Sequence, residues 1–148
     1  MITFRKYKKS DKKTINNFIR EYYKEDPPIY PDIRPNINKT ILEFQKNPKK
    51  GTIYIFTKDK KIMGYSIVVY YWSNEWSGNW LIIDELYVDY NYRKQGIGTD
   101  FFKFLKKQRK KNDIGIQLEI HPHNKKVINF YYKLGFKNSD NQFLILEF

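Results

Sequence analysis

Two strand-like runs, Ile62 to Tyr71 and Trp80 to Val88, are the longest in the chain, and only the polar WSNEWSGN separates them. Runs this rich in β-branched and aromatic residues, joined by a short turn, predict a hairpin inside a larger sheet, because two strands alone cannot bury their faces. The second run passes through DYNYRKQGIG into an amphipathic pattern from about Gly98 to Lys111. A hairpin that feeds directly into a helix restricts the fold to a sheet with helices laid against it.

The rest of the chain fits that frame. Ile2 to Tyr7 predicts a strand. Ser10 stands at a helix-cap position ahead of Ile15, Phe18, Ile19 and Tyr22, which recur on one helical face. DPPIYPDIRPN (26 to 36) holds four of the six prolines and reads as a loop. A short helix over Ile37 to Gln45, a strand over Thr52 to Thr57 and a lysine-rich turn at Lys58 to Lys61 precede the hairpin. A strand over Gly115 to Ile120, a helix from about Asn124 to Leu134 and a final strand over Gln142 to Phe148 follow the central helix. The expected architecture is α/β: a mixed, mostly antiparallel twisted sheet of about six to seven strands with helices on both faces. At 148 residues and 41% hydrophobic content, one core is affordable, so residues 1 to 148 are expected to form a single domain.

Composition removes several function classes. With no cysteine, disulfides, thiol nucleophiles and thiolate metal sites are excluded. His121-Pro122-His123 offers two imidazoles without a further ligand in sequence, so it reads as a strand-to-helix connection and no metal is expected. No apolar run approaches membrane-spanning length and no leader pattern is seen, which predicts a soluble, cytoplasmic protein. The net charge of +12 attracts phosphate. Only five of the 28 basic residues are arginine and the lysines are scattered, which argues against a nucleic acid as the main partner. The densest group, Lys103, Lys106, Lys107, Arg109, Lys110 and Lys111, lies at a helix end, where cations suit the macrodipole.

The segment after Val88 carries chemistry. Arg93-Lys94-Gln95-Gly96-Ile97-Gly98-Thr99 places successive backbone N–H groups at a helix start, where orphan donors and the positive dipole end favour an anion. It is no dinucleotide fingerprint, since Phe101 replaces the third glycine, and no phosphate loop, since Gly-Lys-Ser/Thr is missing. On these residues alone an ordinary turn and a phosphate site remain equally open.

Arg93-x-x-Gly96-x-Gly98 resembles the R/Q-x-x-G-x-G/A signature of the GNAT N-acetyltransferases. Asn124-(x)6-Tyr131-x-x-Leu134-Gly135-Phe136 is similar to that family's N-x-x-A-x-x-x-Y-x-x-L-G-F helix, with Val127 in place of the alanine. The resemblance implies acetyl-CoA as cosubstrate and an amine as acceptor. It implies that Arg93, Lys94, Gln95, Gly96, Ile97, Gly98, Thr99 and Asn124 hold coenzyme A, and that the strand splays near Leu86 and Val88 so that backbone N–H groups bind it. It implies Tyr131 as the acid, also against the coenzyme. Tyr131 has a competing reading as a core aromatic, because it shares a helical stripe with Val127 and Leu134.

Two carboxylates compete as base. Glu85, in Ile83-Asp84-Glu85-Leu86, resembles the acidic pair of spermidine/spermine acetyltransferases, and Glu119 resembles the acidic strand residue of ribosomal-protein alanine acetyltransferases. Asp84, Glu85, Trp72, Trp76 and Tyr30 are the expected acceptor contacts, since aromatic faces beside carboxylates favour a cation. The expected substrate is a small cationic amine. A peptide or protein amine, or an idle domain that binds acyl-CoA or nucleic acid, are the alternatives; many members of the family pair, so a homodimer is one possible assembly and the oligomeric state stays open.

Overall fold

The computed structural model describes residues 1–147 except 29, 31 and 33. Nine main elements follow in order: β1 (Thr3–Lys6), α1 (Lys12–Glu25), α2 (Ile37–Lys46), β2 (Gly51–Lys58), β3 (Lys61–Ser73), β4 (Gly78–Val88), α3 (Ile97–Gln108), β5 (Asp113–Leu118) and α4 (Ile128–Lys133). The sheet order is β1-β2-β3-β4-β5. The first three pairings are antiparallel and β4–β5 is parallel. The parallel pair requires a crossover, and α3 supplies it.

Each face of the sheet has its own cluster. On one, Phe56, Met63, Val68, Leu81 and Ile83 meet Ile97, Phe101, Phe102 and Leu105 of α3. On the other, Ile53, Ile55, Tyr65, Ile67 and Tyr87 meet Ile15 and Ile19 of α1 and Ile37 of α2. Fully burying one such side chain contributes about 1.5–3 kcal/mol. The expected arrangement of helices on both faces is therefore found.

Three local expectations change. Ser10 lies within a 3-10 turn (Lys9–Asp11), and Asp11 flanks α1 instead. The Asp11 carboxylate accepts two bonds from Arg5, at 2.7 and 2.8 Å, and one from the Lys8 N–H at 2.7 Å. That clamp ties β1 to the chain entering α1 and delays the helix. The expected helix from Asn124 begins as a 3-10 turn (Pro122–Val127), with regular helix only from Ile128. The sheet has five strands, fewer than expected, because Gln142–Glu147 is not paired; Phe148 lies outside the described residues. Leu144 is 96% exposed and Leu146 81% exposed. Hydrophobic runs signal strand propensity, but a strand exists only where a neighbour completes its ladder.

Candidate active site

The site originates in an irregularity of β4. Ile67 pairs with Glu85 while Val68 pairs with Ile83, so Asp84 is an extra residue, a β-bulge. The bulge inverts the alternation. Leu81 and Ile83 face the α3 side before it, and Leu86 and Val88 pack on that side after it. Glu85 is thereby turned to the α1 side, next to Tyr87 in the strand.

There Glu85 is buried and fully engaged. Tyr23 of α1 donates its hydroxyl to Oε1 and Tyr65 of β3 donates to Oε2, both at 2.6 Å. Burial raises its pKa above the carboxylate range, the two hydroxyls oppose that shift, and the charge of Asp84 adds to it. Asp84 differs. Its side chain is reached by solvent yet crowded by cleft walls, and that desolvation, followed by the charge of Glu119, raises its pKa.

A second irregularity opens the cleft. Pairing between β4 and β5 ends at Ile83–Leu118, five residues before β4 itself ends. The main chain of 84–88 is thus left without β5 as a ladder partner. A cleft fills the gap, lined by Leu86, Asp84, Glu119, Asn124, Tyr131, Tyr22 and Asp26 among others. A second cleft lies between α1 and the start of α2, lined by Tyr23, Asn36, Ile37, Thr40, Asp84 and Glu85 among others. Asp84 borders both.

Tyr131 is half-buried, with its ring against Phe102 (6.1 Å) and Phe136 (5.6 Å). Burial, then the charge of Asp26, pushes its pKa up to about 12. A phenol so shifted stays protonated near neutral pH and is therefore a proton donor, not an acceptor. Tyr132 points elsewhere: it is 42% exposed and donates to Asn138 Oδ1 at 2.8 Å.

The glycine turn before α3 depends on unusual backbone conformations. Lys94 and Gly96 have φ of 62° and 80°, so the chain passes through left-handed conformations before α3. At Gly96 a Cβ would meet nothing, and the requirement is purely conformational. At Gly98 a Cβ would come within 3.0 Å of Phe130 Cζ, so this glycine also lets α4 approach α3. The N–H groups of Ile97, Gly98 and Thr99 begin the helix, where no intrahelical acceptor exists. Ile97 itself is buried in the core, while Lys94 and Gln95 are exposed.

Arg93 braces this turn. Its Nε donates to the Val88 carbonyl at 2.8 Å, its two terminal nitrogens bind Glu25 at 2.8 and 2.7 Å, and its guanidinium lies 5.4 Å from the Tyr87 ring centre. Trp72 and Trp76 do not border either cleft. They sit at the far end of the β3–β4 hairpin, where Trp72 pairs with Asn79, roughly 17 Å along the strand from Asp84. Trp76 packs on Trp80 at 5.5 Å, which is the hairpin-packing role open to it. Tyr30 is exposed and borders neither cleft.

Sequence reasoning missed Asp26, Tyr22 and Tyr23. Asp26 carries no local signal, being the residue where α1 gives way to the proline loop. Tyr23 was findable, because Ile15, Ile19 and Tyr23 follow one another at four-residue spacing on the buried face.

The GNAT acetyltransferase family profile matches residues 14–136. No curated protein matches the chain in sequence. Among solved structures, a possible acetyltransferase from Clostridium difficile 630 is 24% identical, with a TM-score of 0.83 over 100% of this chain and 98% of its own. The glucosamine-6-phosphate N-acetyltransferase of Arabidopsis thaliana is 20% identical, with a TM-score of 0.69 over 99% and 98%. An aminoglycoside acetyltransferase from an uncultured soil metagenomic sample is 16% identical, with a TM-score of 0.73 over 99% of each chain. At these identities the structures establish a shared fold. The matched stretch takes in the bulged hairpin, the glycine turn and the Tyr131 helix, and this chain belongs to the GNAT acetyltransferase family.

Proposed function

We propose that the protein acetylates a small amine carrying further positive charge, with Asp84 accepting the proton that the amine must lose. The observation that carries this reading is the contrast between surface and clefts. The chain has 28 basic and 16 acidic residues, yet the two clefts are lined by Asp26, Asp84, Glu85 and Glu119 and by no lysine or arginine among the described residues. An acidic acceptor would be repelled there, whereas a cation gains Coulomb energy in a partly desolvated site.

The residues suit acetyl-CoA, which supplies the acetyl group as a thioester. The N–H groups of 97–99, which have no intrahelical acceptor, and the positive end of α3 match its pyrophosphate. The edge of 84–88 that faces away from β3 and lacks β5 suits its amide-bearing arm, and an N–H there, that of Val88 or Leu86, can hydrogen-bond the acetyl carbonyl. Asn124 and Tyr131 form the opposite wall.

An ammonium has no lone pair, so it must first give up a proton. Asp84 stands between the two clefts with an available carboxylate. Glu85 already accepts a tyrosine hydroxyl on each oxygen, and its part is to fix the bulge that aims Asp84. Glu119, exposed at the end of β5, is the other candidate acceptor and acts through water. Tyr131 returns a proton to the departing thiolate. The reading of an idle binding domain predicts no turnover. The direct test is coenzyme A release, monitored as free thiol, with acetyl-CoA and polyamines, aminoglycosides, amino acids and peptides. Turnover favouring multiply charged amines is expected; preference for acidic acceptors, or no release with any amine, would refute the proposal.

A further inference from the structure

The chain contains only two histidines, and both imidazoles converge on one carboxylate. Asp26, the residue after α1, has its Oδ1 2.9 Å from Nδ1 of His121 and 2.7 Å from Nε2 of His123. Its second oxygen, Oδ2, accepts a bond from Nδ2 of Asn124 at 3.1 Å. We propose that Asp26, His121 and His123 form a binding site for a divalent transition-metal ion of the zinc type, which clamps the end of α1 to the connection between β5 and α4.

Three observations support this assignment. One ligand atom from each of the three residues lies within 4.8 Å of the others, so a single ion is within reach of all three after small side-chain adjustments. Two imidazoles and one carboxylate suit zinc, nickel or copper and disfavour magnesium or calcium, which prefer all-oxygen shells. In a tetrahedral site with bonds of about 2.0–2.1 Å, ligand atoms lie roughly 3.3 Å apart. The present 2.7 and 2.9 Å separations need to open by about half an ångström. The imidazole side chains are 27% and 43% exposed, which gives an ion access and the rings room to move, while the Asp26 side chain is held at 12%.

Asn124 completes the logic. By holding Oδ2 it fixes the carboxylate with Oδ1 directed at the imidazoles, the orienting role that outer partners play around metal ligands. Binding needs a lone pair on each coordinating nitrogen. A neutral ring therefore carries its proton on the other nitrogen, Nε2 in His121 and Nδ1 in His123, and an imidazolium releases one proton to solvent. Sequence alone shows His121 and His123 two residues apart with no partner, because the third ligand lies 95 positions away from His121.

The rival account is a hydrogen-bonded latch in which two N–H groups satisfy Asp26 without an ion. Isothermal titration of the chelator-treated full chain with ZnCl₂ separates the two. Saturable one-to-one binding is expected, CoCl₂ should give the visible absorption of a low-coordinate cobalt site, and MgCl₂ should give no response. His123→Ala and Asp26→Asn should each weaken zinc binding by at least about 10-fold, with folding verified by circular dichroism. Absence of saturable zinc binding would leave only the latch and overturn the proposal. Unchanged affinity in Asp26→Asn would also overturn it, reducing the site to two exposed imidazoles.

Discussion

Asp84 and Glu85 are adjacent carboxylates on one strand, and the structure gives them opposite surroundings. Glu85 lies on the α1 side, buried, with each oxygen taken by a tyrosine hydroxyl at 2.6 Å. Asp84, displaced by the bulge, borders both clefts and faces the charge of Glu119. Both pKa values are raised by desolvation, so a raised pKa alone does not distinguish a reacting group from a structural one. What distinguishes them is hydrogen bonding: each Glu85 oxygen accepts a tyrosine hydroxyl, whereas Asp84 is exposed where the two clefts meet.

The largest effect should follow from Asp84→Asn, which keeps size and removes the proton acceptor. A loss in kcat of about 10²- to 10⁴-fold is expected in steady-state assays. An unchanged kcat would move the base to Glu119. Tyr131→Phe tests the facing wall. It retains the ring against Phe102 and Phe136, so a kcat loss of about 10²-fold with little change in acetyl-CoA affinity would reflect the hydroxyl alone. Tyr132→Phe loses only the bond to Asn138 and should behave as the parent.

Glu85→Gln alters the carboxylate that two tyrosine hydroxyls hold and should act on stability more than on rate. Two buried tyrosine hydroxyls would lose a matched acceptor, a cost of about 1–3 kcal/mol. Each kcal/mol should lower Tm by roughly 2–4 °C in a chain of this size. The pH dependence has a definite sign. The folded pKa is raised, so the folded state holds the proton more tightly than the unfolded one, and this contribution favours folding at low pH and is lost as pH rises through the folded value. The variant should lack that share of the decline, seen as the difference between parent and variant melting curves across pH. Smallest of all, Gly96→Ala strains a backbone with φ of 80° by about 1 kcal/mol while clashing with nothing. It should raise the KM for acetyl-CoA a few-fold with kcat held.

Local pattern made most of the fold readable. The hairpin, the glycine turn and both flanking helices follow from runs of apolar residues and from Gly96, whose role is set by its own backbone. The bulge was not readable, because 80–88 is apolar at every position except the acidic pair and so shows no alternation to break. Features that depend on distant partners were not readable. Nothing near Glu85 announces Tyr23, 62 residues away, and nothing near His121 announces Asp26. The apolar tail 143–146 shows the reverse failure, since strong strand propensity produced no strand where no ladder receives it. Trp72 and Trp76 lie near the acidic pair in sequence and far from it along a straight strand.

The most direct test of the difference between the two carboxylates is the pH profile of kcat/KM for the parent, Asp84→Asn and Glu85→Gln, with a cationic amine as acceptor. Glu85, Glu119, Tyr22 and Asp26 surround Asp84 and are left in place in the Asp84 variant. Asp84 must be ionised to accept a proton, and its pKa is raised, so the parent should lose activity as pH falls through a value above the ordinary aspartate range. That acid limb should persist in Glu85→Gln and vanish in Asp84→Asn. An acid limb lost in Glu85→Gln and kept in Asp84→Asn would contradict the assignment and make Glu85 the proton acceptor.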